Sequence, residues 1–400
     1  MAGGQNNYDV IIAGAGPAGA SAAIRLAESK LNVLLLEQKR FPREKLCGEF
    51  ISPECQVHFQ QLGVAAEMQV SSPINITETV FYSRHGKRVA VPSSWFGSGG
   101  ALGLSRAVMD DVLLRQASNR GVNVVQNATA HDLILDHGHV LGARVRHDGK
   151  DHDYHAPLTI DATGRARVLA KKIRPANGPE KARSTAKLIA FKIHLNDTRV
   201  AENTCEIYFY PGGYGGLSSV ESGLSNLCFI ISAAAVKQCH SDPDLVMRKL
   251  VMKNPRAAFT LDSSAAGSEW LSASWERFGR QSPTPAPGLL AIGDSAAFID
   301  PFTGSGMLMA LESGELAADV IVRQWNKPRL HAASLGSDYA RQYQSRFDSR
   351  LRMCSLLRRV AFRPWLAEMA ISALGASERF RSRIVRATRS SNTKSCDQLT

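Results

Sequence analysis

The sequence predicts an α/β fold built around a parallel sheet, and three observations near its start indicate this. Val10–Ala13 and Val33–Leu36 are short, continuous apolar runs, which is typical of parallel strands buried on both faces. The segment between them, Ala18–Glu28, is rich in alanine and leucine, which favours a helix. The three segments together form a βαβ unit, and further strand and helix patterns recur as far as residue 321.

Three glycines occupy the first turn of this unit, in the order G-x-G-x-x-G: Gly14, Gly16 and Gly19. The first permits a tight turn, the second lets a pyrophosphate approach the backbone, and the third lets helix and strand pack closely. The start of the helix adds free N–H groups and a positive dipole end. Glu37 ends the second strand 18 residues after Gly19, where a carboxylate can accept hydrogen bonds from a ribose. The unit therefore predicts dinucleotide binding.

The composition describes an ordinary globular protein. The 400 residues suffice for two or three domains, and 44% are hydrophobic and 21% charged. No run of 18 uncharged apolar residues occurs, so a transmembrane helix is not expected. The first strand begins at Tyr8, which leaves no room for a cleaved signal peptide before it. Seven scattered cysteines without a CxxC pair argue against a metal site or a disulfide framework and for a cytoplasmic protein.

Most of the net charge of +12 belongs to the C-terminal region. Residues 341–400 contain thirteen basic residues against four acidic ones, a balance of +9. Apolar residues recur there every three or four positions, which predicts a basic amphipathic helix: Tyr339, Tyr343, Phe347, Leu351 and Cys354. Such a region is compatible with nucleic acid, with an anionic membrane surface or with a solvated face.

Three later segments fit the same nucleotide domain. Gly103–Val125 contains "LSRAVMDDVL" and predicts a helix followed by a strand, and Leu158–Arg167 predicts a strand that ends in "DATG". Gly288–Ile321 predicts a buried strand ending at Asp294, a loop with Gly304 and Gly306, and a long helix. A carboxylate at the strand end can bind a ribose or ribitol hydroxyl, and the glycine turn offers N–H groups to an anion. The alternative is that Asp294 caps an ordinary helix.

In this order, the four motifs resemble the FAD-dependent oxidoreductases of the para-hydroxybenzoate hydroxylase fold. The resemblance covers about Tyr8–Ile321. It implies a discontinuous Rossmann-like FAD-binding domain, an inserted substrate domain with an antiparallel sheet, and a C-terminal helical tail. The expected boundaries place FAD-binding parts at 1–75, 101–180 and 285–330, substrate-domain parts at 76–100 and 181–284, and a basic helical region at 331–400.

Two segments resemble the geranylgeranyl reductase branch, whose members saturate isoprenoid double bonds. The loop "KLCGEFISPE" is similar to a loop of that branch, which implies that Cys47 lies near the isoalloxazine ring, where it could donate a proton or shape the pocket. "YFYPGGYGGLSSVE" is similar to the segment that lines the substrate cavity, which implies that Tyr214 lines it. A tryptophan and a Phe-Pro pair usually follow that tyrosine, but Gly215–Leu217 replace them, so the substrate stays open. Simple packing roles remain alternatives for Cys47 and Tyr214.

The resemblance also implies which residues hold FAD: Gly14, Gly16, Gly19, Glu37, Arg43, Arg106, Asp294, Gly304 and Gly306. Arg43 follows the ribose-binding strand closely enough to meet the phosphates or the flavin edge, and Arg106 follows the "LS" turn. No second G-x-G-x-x-G appears, so NAD(P)H is expected as a transient electron donor without a domain of its own.

The expected function is a reductase or dehydrogenase that transfers hydride at flavin N5 to a small lipophilic, isoprenoid-like substrate. The alternative is a monooxygenase that hydroxylates an aromatic or polyketide-derived compound with NAD(P)H and oxygen. Halogenation is disfavoured because Trp270 and Trp275 do not form the W-x-W-x-I-P motif of flavin halogenases. Nucleic-acid binding is not expected, since the basic tail contains no recognisable RNA or DNA motif. Peripheral contact of this tail with a membrane is expected, with packing on the protein's own core as the alternative.

Overall fold

The structure, a computed structural model, describes residues 7–97, 99–173, 188–275, 278–325 and 332–387. The expected boundaries at 180 and 330 and the tail beyond 387 lie outside these residues. The helices are α1 Pro17–Glu28, α2 Cys55–Gln61, α3 Ala65–Val70, α4 Arg106–Asn119, α5 Ala233–Gln238, α6 Pro243–Lys249, α7 Pro255–Leu261, α8 Gly306–Trp325, α9 Ala332–Ala361, α10 Pro364–Ala376 and α11 Glu378–Ala387. The strands are β1 Val10–Ala13, β2 Val33–Glu37, β3 Phe50–Ile51, β4 Ile74–Ile76, β5 Glu78–Tyr82, β6 Arg88–Pro92, β7 Ala101–Gly103, β8 Asn123–Gln126, β9 Thr129–Asp136, β10 His139–His147, β11 Lys150–His155, β12 Leu158–Asp161, β13 Leu188–Asn196, β14 Thr204–Tyr210, β15 Gly213–Ser219, β16 Ser225–Ser232, β17 Ala265–Ala266, β18 Leu271–Trp275, β19 Gly279–Arg280, β20 Leu289–Ala291 and β21 Ala297–Phe298.

A five-stranded parallel sheet forms the nucleotide-binding half, with the order β20-β12-β1-β2-β8. Every residue of β1, β2 and β12 is buried, because both faces of the sheet are covered. Val10 and Ile12 pack in one core with helices α1, α4 and α8, whereas Ile11 and Ala13 pack in another core against the β9–β11 sheet. The predicted βαβ unit and the α/β class are confirmed.

The second half contains an eight-stranded sheet with the order β17-β13-β16-β15-β14-β5-β6 and β18 paired to β13. All pairs are antiparallel except β14 with β5, which run parallel. This exception arises because β5 belongs to an earlier chain segment that is not joined to β14 by a hairpin. One face of the sheet packs on α5, α6 and α7, and the other face packs on α9 and α10. The domain boundaries themselves stay predictions.

The C-terminal region is helical, as expected, but its three helices differ in character. In α9, Tyr339, Tyr343 and Phe347 are buried, and fully buried Arg350 pairs with Glu312 of α8 at 2.7 Å. The expected basic, amphipathic character of this region is wrong for α10, whose sequence contains no Lys or Arg and is apolar on nearly every side. No helix among the described residues is long and apolar enough to span a bilayer.

Candidate cofactor and substrate site

A groove of about 380 Å³ runs along the carboxyl ends of the parallel strands and continues towards the eight-stranded sheet. Such a crevice is where open α/β sheets bind their ligands. The structure brings nine of the eleven predicted site residues to its walls: Gly14, Gly16, Glu37, Arg43, Cys47, Arg106, Asp294, Gly304 and Gly306. The other two, Gly19 and Tyr214, lie elsewhere and are described below.

The glycines of the first turn differ in what surrounds them. A Cβ on Gly19 would lie 1.9 Å from the carbonyl oxygen of Gly14, so this glycine permits close packing of helix and strand. A Cβ on Gly16 would meet nothing nearer than the Arg106 guanidinium, at 3.9 Å, and a Cβ on Gly48 or Gly306 would meet no atom within 4 Å. Backbone without side chains therefore faces free space at several points of the groove, which suits an extended dinucleotide.

Two long helices begin at this groove. Gly16 is the N-cap of α1 and provides no side chain to its first turn, and α8 begins at Gly306. Unsatisfied N–H groups and the positive dipole ends of both helices therefore lie beside the free space. Both features favour anionic or electron-rich parts of a ligand.

Glu37 lies at the end of β2, and its side chain is already engaged with the protein. Its carboxylate accepts hydrogen bonds from the backbone N–H groups of Ala15, at 3.0 Å, and Lys39, at 3.1 Å. A carboxylate has about four acceptor sites, so ribose hydroxyls can still bind it. The two protein bonds fix the carboxylate at the end of β2, and its bond to a ribose stays a prediction.

Asp110 of α4 is fully buried and holds both predicted arginines. Arg43 donates to it at 2.8 Å, and Arg106 donates to it twice, at 2.8 and 2.7 Å. Burial alone would lower the pKa of Arg106, but Asp110 raises it overall. Both guanidinium groups are thus fixed and charged, and Arg106 lies beside Gly16, where a pyrophosphate would approach.

Further charges in the groove lack this degree of neutralisation. Desolvation, followed by repulsion from Arg106 and Arg43, lowers the pKa of Lys45, although the residue is exposed and the shift is therefore reduced by solvent. Burial lowers the pKa of Arg165, whose guanidinium lies 4.9 Å from the ring of Trp275 and 5.3 Å from that of Phe298. The lowered pKa of Arg165 reflects burial alone, whereas that of Lys45 also reflects repulsion from the neighbouring arginines, a charge environment that suits a pyrophosphate.

Asp294 follows β20 and lines the groove as predicted. Burial raises the pKa of its carboxyl group, and Arg165 opposes this shift. The expected hydrogen bond of this carboxyl group to a ribitol or ribose hydroxyl stays a prediction.

Cys47, Gly48 and Glu49 form a loop between the groove and the eight-stranded sheet. The half-buried Cys47 lines the groove, and its carbonyl oxygen accepts a hydrogen bond from Asn226 of β16 at 3.1 Å. The carboxylate of Glu49 accepts hydrogen bonds from Lys192, at 2.6 Å, and His194, at 2.7 Å, both on β13. This loop therefore joins the two halves of the protein.

A second cavity, of about 200 Å³, lies between the eight-stranded sheet and helices α9 to α11. Its walls are apolar and aromatic, and no charged side chain lines it within the described part of the chain. Five residues line both the groove and this cavity: Gly48, Phe50, Cys228, Pro301 and Gly304. The cavity therefore adjoins the groove at the Cys47–Gly48 loop.

Tyr214 lines the apolar cavity and not the groove. Its hydroxyl group donates to Asp300, and burial raises the pKa of the phenol well above its ordinary value. The phenol thus stays protonated, and its ring packs edge-on against Phe302 and Phe362. The cavity position agrees with the resemblance, whereas a catalytic role for Tyr214 stays a prediction.

Several polar residues of the site had no predicted role, among them Asp110, Lys192 and His194. One signal for the last two is visible in the sequence, because they stand two residues apart in a strand that is otherwise apolar, "LIAFKIHL". Residues two apart point to the same face of a strand, so two polar side chains there indicate a buried polar cluster. For Asp110, the signal is its spacing of four residues from Arg106 on a predicted helix.

Comparisons with known proteins agree with this geometry. The family described as "FAD binding domain" matches residues 7–316. The digeranylgeranylglycerophospholipid reductase of Methanosarcina mazei is 28% identical over 327 residues, which cover 79% of this chain and 75% of the relative. The flavin-dependent brominase Bmp2 superposes with a TM-score of 0.78 at 20% identity, covering 96% of this chain and 93% of the brominase. A geranylgeranyl bacteriochlorophyll reductase-like protein from Thermoplasma acidophilum superposes with a TM-score of 0.71 at 21% identity, covering 96% and 92%.

We predict that Gly16→Val abolishes FAD retention and leaves the fold intact, because the added side chain fills the free space beside Arg106 and meets no backbone. Gly19→Val should instead destabilise the protein, since its Cβ would collide with the Gly14 carbonyl group. Flavin absorbance after gel filtration with added FAD, measured beside the melting temperature, checks both. A Gly16→Val protein that keeps its flavin absorbance would contradict the assignment of this free space to FAD.

Proposed function

The chain belongs to the family of FAD-binding-domain proteins, and from that premise we propose a specific activity for this FAD-dependent oxidoreductase. It is a reductase or dehydrogenase that acts on a small lipophilic, isoprenoid-like substrate, with NAD(P)H as a transient electron donor. The observation that carries the proposal is the uncharged apolar cavity that adjoins the cofactor groove at Cys47–Gly48.

The chemistry divides between the cofactor and the chain. When bound, FAD supplies hydride transfer at N5. The chain holds the cofactor with its glycine turn, Glu37 and the arginine pair on Asp110, as described above. The apolar cavity excludes water and aligns a hydrocarbon chain, and the Cys47 thiol is the side chain in the connecting loop that can donate a proton. The similarity to a digeranylgeranylglycerophospholipid reductase supports a substrate of this class.

A second candidate is a monooxygenase that hydroxylates an aromatic or polyketide-derived compound. The observation that favours it is the aromatic content of the cavity walls: Phe50, Phe81, Phe96, Phe209, Tyr214 and Phe302. Such rings can pack edge-on or offset against an aromatic substrate.

Oxygen dependence separates the two reactions. We predict that a geranylgeranyl lipid accelerates NADPH oxidation by the purified yellow protein under anaerobic conditions, with loss of a substrate double bond detected by mass spectrometry. A monooxygenase would consume NADPH with its substrate only when oxygen is present. Turnover that requires oxygen and adds 16 mass units, the mass of one oxygen atom, would reject the reductase. NADPH oxidation without substrate provides the background rate.

We predict that Cys47→Ala lowers kcat by about 100-fold, the range of general acid catalysis, while FAD affinity changes little. Cys47 lines the groove beside the cavity but is not among the residues expected to bind the phosphates or ribose. The matched control is Cys239→Ala, which removes a buried thiol from the core on the far face of the large sheet. Unchanged kinetics in Cys47→Ala would leave this cysteine a packing role alone.

We also propose that the C-terminal helices touch an anionic membrane surface, from which a lipophilic substrate enters. Helix α10 supports this, because it is apolar on two opposite sides. Ala367, Ala370, Ile371 and Leu374 line the cavity. Trp365 and Met369 are 61% and 62% exposed, and their spacing of four residues places them together on the other side. A helix that is apolar all round normally has both sides buried.

The surrounding charge fits an anionic lipid surface. Arg352, Arg359 and Arg363 are exposed at the end of α9 and before α10, and Leu356 adds another exposed apolar side chain. Each arginine near an anionic bilayer contributes about 1 kcal/mol, and inserted apolar side chains add to this.

Sedimentation with anionic liposomes tests this contact. We predict that the protein pellets at low salt and that high salt releases much of it, because exposed charges are screened. Trp365→Ser with Met369→Ser should weaken binding about tenfold or more, since two large apolar side chains are lost from the contact. Phe259→Ser is the matched control, because Phe259 is 52% exposed on α7. Absence of pelleting at low salt would reject the membrane contact and leave the reductase proposal untouched.

A further inference from the structure

The buried polar cluster between the cofactor groove and the large sheet consists of Glu49, Lys192 and His194, and Glu44, whose side chain is 41% exposed, adjoins it at the surface. Glu49 is fully buried, and Lys192 and His194 are 1% and 5% exposed. Lys192 donates to both Glu49 and Glu44, and His194 donates from Nε2 to the other oxygen of Glu49. The two carboxylates and the imidazole are close enough together to bind a metal ion. The Lys192 ammonium group already provides the positive charge at that point.

Buried charges of this kind are costly unless each has a partner. Burial would raise the pKa of Glu49, but the hydrogen bond from His194 and the charge of Lys192 lower it overall. Burial would lower the pKa of Lys192, but Glu49 and Glu44 raise it overall. Glu49 and Lys192 are therefore both charged, and separating them would leave an uncompensated charge inside the protein.

Glu49 also contacts a third element, the start of α4. Its carboxylate accepts the backbone N–H of Arg106, the first residue of that helix, at 2.8 Å. The positive end of a helix dipole stabilises a carboxylate at this position. One side chain therefore fixes the Cys47–Glu49 loop to α4 on one side and to β13 on the other.

The same contacts hold Cys47. The backbone N–H of Glu49 points at the Cys47 sulfur atom, with 3.4 Å between nitrogen and Sγ, and the nearby Cys47 sulfur also contributes to raising the pKa of Arg106. The backbone of Glu49 has φ of 52°, in the left-handed region that costs a non-glycine residue of this kind about 1 kcal/mol or more. The side-chain bonds of Glu49 hold this conformation, which aims its N–H at Cys47.

We propose that Glu49, Lys192 and His194 are positioning residues that fix the Cys47 sulfur atom against the bound flavin. This inference rests on the proposed role of Cys47 and deepens it. The carboxylate acts through Cys47 and not on the substrate, because both of its oxygens are bound by Lys192, His194 and the backbone N–H of Arg106. The loop, the start of α4 and the substrate sheet consequently keep one relative placement when the cofactor binds.

Comparison of two buried carboxylates tests the proposal. Glu49→Gln removes the negative charge that pairs with Lys192 and His194. Glu312→Gln removes the negative charge that pairs with buried Arg350 of α9. Both should lower the melting temperature. Only Glu49→Gln should alter the visible spectrum of the bound FAD and lower kcat by about tenfold, the effect of one charge-assisted hydrogen bond.

Combination with Cys47→Ala separates positioning from mere stability. If Glu49 acts through Cys47, Glu49→Gln changes neither the flavin spectrum nor kcat further in a Cys47→Ala background. Equal effects in both backgrounds, or the same spectral change in Glu312→Gln, would overturn the proposal. If Cys47→Ala has no effect, the role of Cys47 itself is rejected. If Cys47→Ala loses turnover but Glu49→Gln behaves like the wild type, only the positioning role is rejected.

His194 provides a second pair of variants if Glu49→Gln does not fold. His194→Leu removes the donor to Glu49 and should change the flavin spectrum in the same sense. His194→Gln restores an N–H donor on a side chain of similar reach and should recover the wild-type spectrum. A normal spectrum in His194→Leu, or no recovery in His194→Gln, would contradict the assignment.

Discussion

Burial of charge beside the cofactor groove is the constraint on which the rest of the site depends. A series of contacts runs through the interior from β2 to β13, by way of the 39–49 loop and α4. Its members are Glu37, Arg43, Asp110, Arg106, Glu49 and Lys192. An unpaired buried charge costs several kcal/mol, so each member requires its neighbour at hydrogen-bonding or ion-pair distance. Strand, loop and helix cannot move apart without breaking these pairs.

The same series of contacts makes the groove suited to a dianion such as a pyrophosphate. Asp110 neutralises part of the charge of Arg43 and Arg106, while burial lowers the pKa of both Lys45 and Arg165. At Lys45, desolvation lowers the pKa first, and repulsion from Arg106 and Arg43 adds more than the attraction of Glu37 offsets. A bound pyrophosphate would place negative charge beside these cations and relieve that repulsion.

Local features of the sequence predicted most of the nucleotide half and little of the charge network. Gly14, Gly16 and Glu37 are recognisable because a pyrophosphate and a ribose demand specific residues at short spacing. Lys192 and His194 lie more than 140 residues from Glu49 in the sequence. No pattern in the sequence around them indicates which buried carboxylate they pair with. Helix α10 was misjudged for a similar reason: the surplus of arginines before and after it concealed a segment without any basic residue.

The link between the cofactor side and the tail helices also depends on one buried carboxylate. Asp300 accepts the N–H of Phe302, at 3.1 Å, and the hydroxyl of Tyr214, and Arg358 of α9 lies 3.4 Å from it. Burial raises the pKa of Asp300 and lowers that of Arg358. The turn that begins at Pro301 lines both the groove and the apolar cavity. Since sheet, turn and tail helix meet at this carboxylate, any displacement of α9 would also disturb the shared wall of the groove and the cavity.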